Sequence, residues 1–223
     1  MKNKLDIVVI SLIDDVERRK IIQEEFNKYQ LDFEFFDAIY GKYITGGEYY
    51  SLCKNENFLF NRRVILSPGE VGCKLSHENV IRNFIYNSNS DWLVVLEDDI
   101  SFKFDPRLLL SDLDNFDGNS IIHLGGQEGL SNSKRVVKYN KVRRSGYTVS
   151  KVCSITLRWL YRTCGYVMSR EVAERVYSVY QSHNFVADDW RFLTKKANIN
   201  EVLYCDVVRH PEDLSMSKIE AER

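Results

Sequence analysis

Trp92-Leu93-Val94-Val95-Leu96-Glu97-Asp98-Asp99 is the stretch on which the reading of the fold turns. Five apolar residues run directly into three carboxylates. A short apolar run without alternation has the composition of a strand buried on both faces. Two like charges held roughly 4 Å apart repel by about 4 kcal/mol at a surface-like dielectric, so the acidic end calls for a cation among its members. In an open α/β sheet, ligands bind beyond the carboxyl ends of the strands. A divalent metal holding a diphosphate suits that place, because Mg²⁺ and Mn²⁺ prefer oxygen ligands and leave room for phosphates. A solvated acidic turn is the competing reading of the same residues.

Outward from this stretch, the pattern is one of alternating strands and helices. Residues 5–12 read as a buried strand. Residues 14–29 read as a helix whose outer face carries Glu17, Arg18, Arg19 and Lys20, and residues 33–39 as a second strand closed by Gly41. Strand, helix, strand predicts a βαβ unit and a parallel sheet. Residues 43–63 lack a period and read as a loop with a short helix. Ser67-Pro68-Gly69-Glu70 then opens a strong helix: Ser67 as N-cap, Pro68 in the first turn and Glu70 closing a capping box. That helix should run to Tyr86. On its wheel Val71, Cys73, Leu75, Val80, Ile81, Phe84 and Ile85 share the apolar face with His77, and Ser76, Asn79 and Asn83 lie opposite.

Beyond the acidic cluster, residues 120–124 form a further buried strand ending at Gly125-Gly126, where missing side chains let backbone approach a ligand. Residues 131–150 are polar and basic, a loop or hairpin. Residues 163–168 read as a strand, Ser169 as the cap of a helix to Tyr180, Asp188 as the start of a short helix, and residues 201–208 as the last strand, stopped near Pro211.

A chain of 223 residues suits one domain with a full core. Hydrophobic residues at 44% and charged residues at 28% mark an ordinary soluble composition, and a net charge of −1 gives no reason to expect nucleic acid as a partner. The five cysteines are odd in number and lack a CxxC pair, which argues against a disulfide framework or a zinc site and for a reducing compartment. The start, Met1-Lys2-Asn3-Lys4, looks like a signal n-region, but the apolar run after it is short and ends at Asp14-Asp15, so no secretory signal is expected. No stretch approaches the roughly 20 apolar residues of a membrane span. A Walker A loop is absent, which argues against a P-loop nucleotidyl or phosphoryl transferase.

Several segments now fall in a recognisable order. They are Ile10-Ser11-Leu12 with Arg18-Arg19, Phe35-Phe36-Asp37-Ala38-Ile39 with Gly41, Ser67-Pro68-Gly69-Glu70-Val71-Gly72-Cys73-Lys74-Leu75-Ser76-His77, and Val95-Leu96-Glu97-Asp98-Asp99. His123-Leu124-Gly125-Gly126, Cys164-Gly165-Tyr166-Val167-Met168-Ser169 with Ala173, and Asp188-Asp189 follow. Together they resemble glycosyltransferase family 25, the bacterial lipooligosaccharide galactosyltransferase family, from Ile7 to Ser217. The resemblance implies an α/β fold with a GT-A-like, Rossmann-type sheet, mostly parallel, with helices on both faces. It implies one domain over residues 1–223, with donor binding in residues 1–130 and acceptor binding and catalysis in residues 131–223. It further implies a UDP-sugar donor, usually UDP-galactose, Mn²⁺ or Mg²⁺, inversion at the anomeric carbon, and a lipooligosaccharide or other glycan acceptor. Such an enzyme is expected in the cytoplasm, with peripheral contact to the inner membrane. Other nucleotide sugars, UDP-glucose or UDP-N-acetylglucosamine, and a non-catalytic carbohydrate-binding relative are the alternatives. The family's longer basic tail is not evident after Val207-Val208-Arg209-His210-Pro211.

For the site, Asp99 is the expected direct metal ligand, Glu97 a ribose or support contact, and Asp98 a metal or sugar contact. Inversion needs a base on the face opposite the leaving group. Asp188 and Asp189 are its two candidates, one as base and the other as helix cap, with the resemblance favouring Asp188. His210 is a candidate second metal ligand or an exposed loop histidine, and His77 reads as a satisfied core histidine before a ligand. Arg18 and Arg19 are candidates for donor contact or a solvated helix face, and Gly125 and Gly126 for donor contact. Lys134, Arg135, Lys138, Lys141, Arg143 and Arg144 form a basic run that suits acceptor phosphates, an anionic membrane or plain solvent. Tyr147, Trp159, Tyr161 and above all Trp190 are candidate sugar platforms.

Overall fold

A computed structural model describes residues 4–53, 65–144 and 146–211. Residues 1–3 of the n-region-like start, the part of the 43–63 loop beyond Cys53, and the end of the matched region at Ser217 lie outside the described residues.

The strands are β1 (Leu5–Ser11), β2 (Glu34–Asp37), β3 (Trp92–Glu97), β4 (Ser101–Phe102), β5 (Ser120–Gly125), β6 (Lys138–Arg144), β7 (Tyr147–Val152), β8 (Gly165–Ser169) and β9 (Glu201–Arg209). They form a single sheet in the order β2-β1-β3-β8-β5-β9-β7-β6, with β4 pairing against β9. β1, β2, β3, β5, β9 and β6 share one direction, while β8, β7 and β4 run against it. The helices are α1 (Val16–Asn27), α2 (Gly46–Cys53), α3 (Pro68–Asn87), α4 (Arg107–Leu110), α5 (Arg170–Ser182) and α6 (Trp190–Lys196).

β3 is the spine of this arrangement. Leu93 and Val95 project into the layer under α3, α5 and α6, with Val80, Ile81, Phe84, Val172 and Val176. Trp92, Val94 and Leu96 project into the opposite layer, with Ile22 and Phe26 of α1 and Leu109 of α4. The unbroken apolar run is thus a strand covered by helices on both faces. Each such side chain, fully buried, contributes roughly 1.5–3 kcal/mol, which fixes where the acidic end of β3 must lie.

The helix starts follow the expected chemistry. The Ser67 hydroxyl accepts from Glu70 N, and the Glu70 carboxylate accepts from Ser67 N at 2.9 Å, a complete capping box. Ser169 caps α5 by accepting from Val172 N. Arg170 then donates to the carbonyls of Ser88 and Ser90 and reaches those of Phe84 and Ile85, satisfying the carboxyl end of α3.

One element of α3 departs from the wheel. Ser76 was expected on the polar face, yet it is 1% exposed. Its hydroxyl donates to Gly72 O and accepts from Ile39 N at 2.8 Å. The chain after β2 docks on this flank so closely that a Cβ at Gly72 would lie 2.5 Å from Ile39 O. A helical wheel carries no record of such a docking loop. The second departure is β8, which inserts between β3 and β5 antiparallel to both.

Candidate active site

Strands β1, β3, β5 and β9 all end at one edge of the sheet, at Ser11, Glu97, Gly125 and Arg209. Because β8 runs the other way, the residues that lead into it, 162–164, arrive at the same edge. The site is therefore assembled from five chain segments that the topology brings to one place.

Arg18 is the cation that the acidic cluster required. It donates to Asp98 at 3.0 Å and to Asp99 at 3.3 Å, and pairs with Asp15 at 3.7 Å. Asp98 also accepts from the Ser11 hydroxyl at 2.7 Å. Burial pushes the Asp98 carboxyl above its ordinary range, and Ser11 and Arg18 oppose that without reversing it. Arg19 faces elsewhere: it donates to Ser11 O, Leu12 O and Asp37, and stacks over Phe35, bracing the end of β1 against β2.

Asp99 Oδ2 lies 3.3 Å from His210 Nε2. The other oxygen, Oδ1, is buried and has no hydrogen-bond partner among the described residues. His210 Nδ1–H donates to Pro211 O at 2.8 Å, which turns Nε2 towards Asp99. Burial alone would raise the carboxyl and lower the imidazole. The bond between them overrides burial on both sides, holding Asp99 below and His210 above its ordinary value. A buried carboxylate oxygen left unpaired costs about 1–3 kcal/mol or more. Beside an imidazole nitrogen it belongs to a donor set that a divalent Mn²⁺ or Mg²⁺ accepts. The residues present fit such an ion.

Glu97 Oε1 accepts from the Thr163 hydroxyl at 2.5 Å and faces His77 Nε2 at 3.4 Å. Asp188 Oδ2 accepts from Arg162 N at 3.0 Å, so the segment that touches Glu97 also carries Asp188. Asp189 accepts from Phe192 N at 2.9 Å and is the N-cap of α6. The two acidic neighbours thus divide as cap and non-cap, and the cap is Asp189. Gly125 and Gly126 have φ of +111° and +70°. A Cβ at Gly125 would lie 2.6 Å from Asp206 Oδ1, so the close approach that calls for glycine here is made by the protein's own β9.

A model of glycosyltransferase family 25, described as an LPS biosynthesis protein family, matches residues 4–191. The chain belongs to glycosyltransferase family 25. A glycosyltransferase 25 family member of Anopheles gambiae is 29% identical over 78% of this chain and 29% of its own length. The procollagen galactosyltransferase 1-B of Xenopus laevis is 32% identical over 49% of this chain and 19% of its own. The lipooligosaccharide biosynthesis protein lex-1 of Haemophilus influenzae is 25% identical over 90% of this chain and 73% of its own. The chain spans only 35%, 29%, 27% and 19% of the lengths of four of the curated relatives it matches. Among solved structures, a glycosyltransferase involved in glycosylation of the PBCV-1 major capsid aligns over 91% of this chain and 81% of its own, at 10% identity and a TM-score of 0.40.

The family 25 motif on α3 contributes little direct contact with the acidic edge apart from His77. Glu70 and Ser76 serve the cap and the docking loop. His77 is 1% exposed, with Nδ1 2.9 Å from the Tyr166 hydroxyl and Nε2 facing Glu97. Two of the four expected sugar platforms, Trp190 and Tyr147, are corrected by burial, while Trp159 and Tyr161 are half-buried. Trp190 is 1% exposed and donates Nε1–H to Arg162 O; Tyr147 is buried and donates to Asp112. Neither offers a ring face to a sugar. Four cations of the basic run, Lys138, Lys141, Arg143 and Arg144, lie along β6, the edge strand of the sheet, and Lys134 and Arg135 precede it in a 3₁₀ turn. On β6, Arg144 pairs with Asp112 at 2.6 Å and Lys138 sits 3.9 Å above the Tyr204 ring, and lysines on an edge also discourage strand addition.

Sequence reasoning missed Arg162. Its φ is +66°, and four side chains hold the 161–162 backbone: His123, Gln127, Asp188 and Trp190. Its guanidinium donates to Gly126 O at 2.6 Å and Glu128 O at 3.0 Å, close enough to Asp99 and His210 to act on the charge of both. The only local signal was its place just before the Thr163-Cys164-Gly165 strand entry.

His123 gives this clamp a pH signature. Gly125 N–H donates to Nδ1, so Nε2 carries the proton and donates to the Tyr161 and Arg162 carbonyls. Complete burial pushes the ring down to about 4 from 6.5. The folded state therefore binds this proton more weakly than the unfolded chain. The stability it confers is full above pH ~6.5 and is lost as pH falls towards ~4, by about 2 kcal/mol at pH 5. Urea unfolding at pH 7.5 and pH 5 should show that loss, and His123→Gln should flatten it.

Proposed function

We propose that this family 25 chain is an inverting, metal-dependent hexosyltransferase of GT-A type. It moves galactose from UDP-galactose, with β linkage, onto a lipooligosaccharide or other surface-glycan acceptor. The observation that carries this reading is the meeting at one sheet edge of Asp99 and His210, with an unpaired buried oxygen, and Asp188 held across residues 162–163.

Asp99 and His210 would hold Mn²⁺ or Mg²⁺, and the bound ion would offset the negative charge that develops on the departing diphosphate. Arg18 pairs with the adjoining carboxylates and holds them in place, and Arg162 adds fixed positive charge beside them. Glu97, oriented by Thr163, is the donor-side contact. Asp188 takes the proton of the acceptor hydroxyl as that oxygen bonds to the anomeric carbon. The bond from that carbon to the diphosphate oxygen breaks, and its electron pair leaves on UDP. The helix-cap role of Asp189 supports Asp188 as the base.

Galactose as the sugar and lipooligosaccharide as the acceptor are supported by the names of two relatives, a procollagen galactosyltransferase and a lipooligosaccharide biosynthesis protein. Among the described residues no helix is long and apolar enough to cross a membrane. A cytoplasmic enzyme meeting a lipid-linked acceptor at the inner membrane would use the β6 edge, where exposed Val137, Tyr139 and Val142 lie among the cations. Calorimetric titration with UDP-galactose, UDP-glucose and UDP-N-acetylglucosamine, each with and without Mn²⁺, tests the donor reading. Mn²⁺-dependent binding that prefers UDP-galactose is expected. Preference for another sugar replaces the donor, and no binding to any of the three overturns the site.

A further inference from the structure

We propose that Cys73, His77 and Glu97 form a second metal site, separate from Asp99 and His210, that takes a thiophilic divalent ion such as Zn²⁺. One ligand atom from each of the three residues lies within 4.8 Å of those of the other two. Cys73 and His77 are four residues apart on α3, so both side chains project from one helix face. Glu97 meets them from the end of β3. The cysteine count weighed against a zinc site because no CxxC pair exists. A set drawn from a helical Cys-x-x-x-His and a distant strand end leaves no such spacing to find.

Three further observations fit a metal. The His77–Glu97 separation of 3.4 Å is long for a hydrogen bond and leaves Nε2 aimed at the carboxylate. Nδ1 is already engaged by the Tyr166 hydroxyl at 2.9 Å, and Glu97 Oε1 by the Thr163 hydroxyl at 2.5 Å. Ligating histidines and carboxylates carry outer partners of this kind, which fix the ring and raise its basicity. The charges also balance. A thiolate, a carboxylate and a neutral imidazole around a divalent ion sum to zero, which suits a ring that is 1% exposed. Thiolate with imidazole selects Zn²⁺ over Mg²⁺ or Mn²⁺. On binding, the Cys73 thiol releases its proton to solvent as sulfur bonds to the ion. Three protein ligands leave a fourth position open beside the donor-side carboxylate.

The inference concerns binding alone and stands whether or not the chain transfers galactose. Co²⁺ is the probe, added to the full chain with excess Mg²⁺ to occupy oxygen-rich sites. One equivalent should produce the near-ultraviolet charge-transfer absorption of a cobalt–thiolate bond, and Zn²⁺ should displace it. Cys73→Ser, a near-isosteric change, should remove the band, and Asp99→Asn should leave it. Tyr166→Phe, which deletes only the partner of Nδ1, should weaken Zn²⁺ binding by about 10- to 100-fold. No band in the unaltered chain, or an equal band in Cys73→Ser, overturns the proposal.

Discussion

Asp188→Asn is expected to slow glycosyl transfer by about 10²- to 10⁴-fold, the usual contribution of a positioned general base, and to leave donor affinity unchanged. Asp188 accepts from Arg162 N at 3.0 Å, and the asparagine carbonyl can accept the same bond, so residues 161–164 stay in place. The capacity to take a proton is lost. The companion variant Asp189→Asn separates the two carboxylates. Asp189 caps α6 by accepting from Phe192 N, and asparagine caps nearly as well. Activity should persist there, and Asp189→Ala should cost about 1 kcal/mol of stability. Rates come from released UDP, affinities from calorimetry. Transfer retained in Asp188→Asn would remove Asp188 from the mechanism.

The residues differ in how far the sequence alone announces them. β3 is legible because burial on both faces leaves an unbroken apolar run, and its acidic end is legible because three adjacent carboxylates need a counter-ion. Arg18 answers that need from 80 residues away, at a helix start that the sequence also marks. The Ser67 and Ser169 caps are local chemistry, written within four residues. The Asp188–Asp189 pair could be split only in part, since both suit a helix start and only the observed bond to Phe192 N names the cap.

What stayed hidden depends on partners distant in the chain. The insertion of β8 against its neighbours brings residues 162–164 to the site, and no hydrophobic period encodes a strand's direction. Arg162 acquires its role from a backbone held at positive φ by His123, Gln127, Asp188 and Trp190. Trp190 looked like a sugar platform because it adjoins the acidic pair. Its indole is instead packed against Tyr166 and His123, and its contribution to the site is the hydrogen bond to Arg162 O. Glycines 125 and 126 were recognisable as tight positions, but the atoms that crowd them belong to β9 and Cys164.

The second large effect is expected from Asp99→Asn. Asparagine preserves the shape of the side chain and can still accept from Arg18, yet it removes the charge that pairs with His210 Nε2 at 3.3 Å and with any bound cation. Mn²⁺ should then no longer increase affinity for UDP-galactose, and transfer should fall roughly 10³-fold, equivalent to about 4 kcal/mol of lost transition-state stabilisation. His210→Ala should move in the same direction, since it withdraws the other half of the donor set. Asp98→Asn should differ in kind. Its oxygens already engage Ser11 and Arg18, so its loss loosens Arg18 while Mn²⁺ dependence survives. Calorimetry with and without Mn²⁺ on the three variants distinguishes these cases. Undiminished Mn²⁺ dependence in Asp99→Asn would place the ion elsewhere on the edge, with Glu97 the next carboxylate in line.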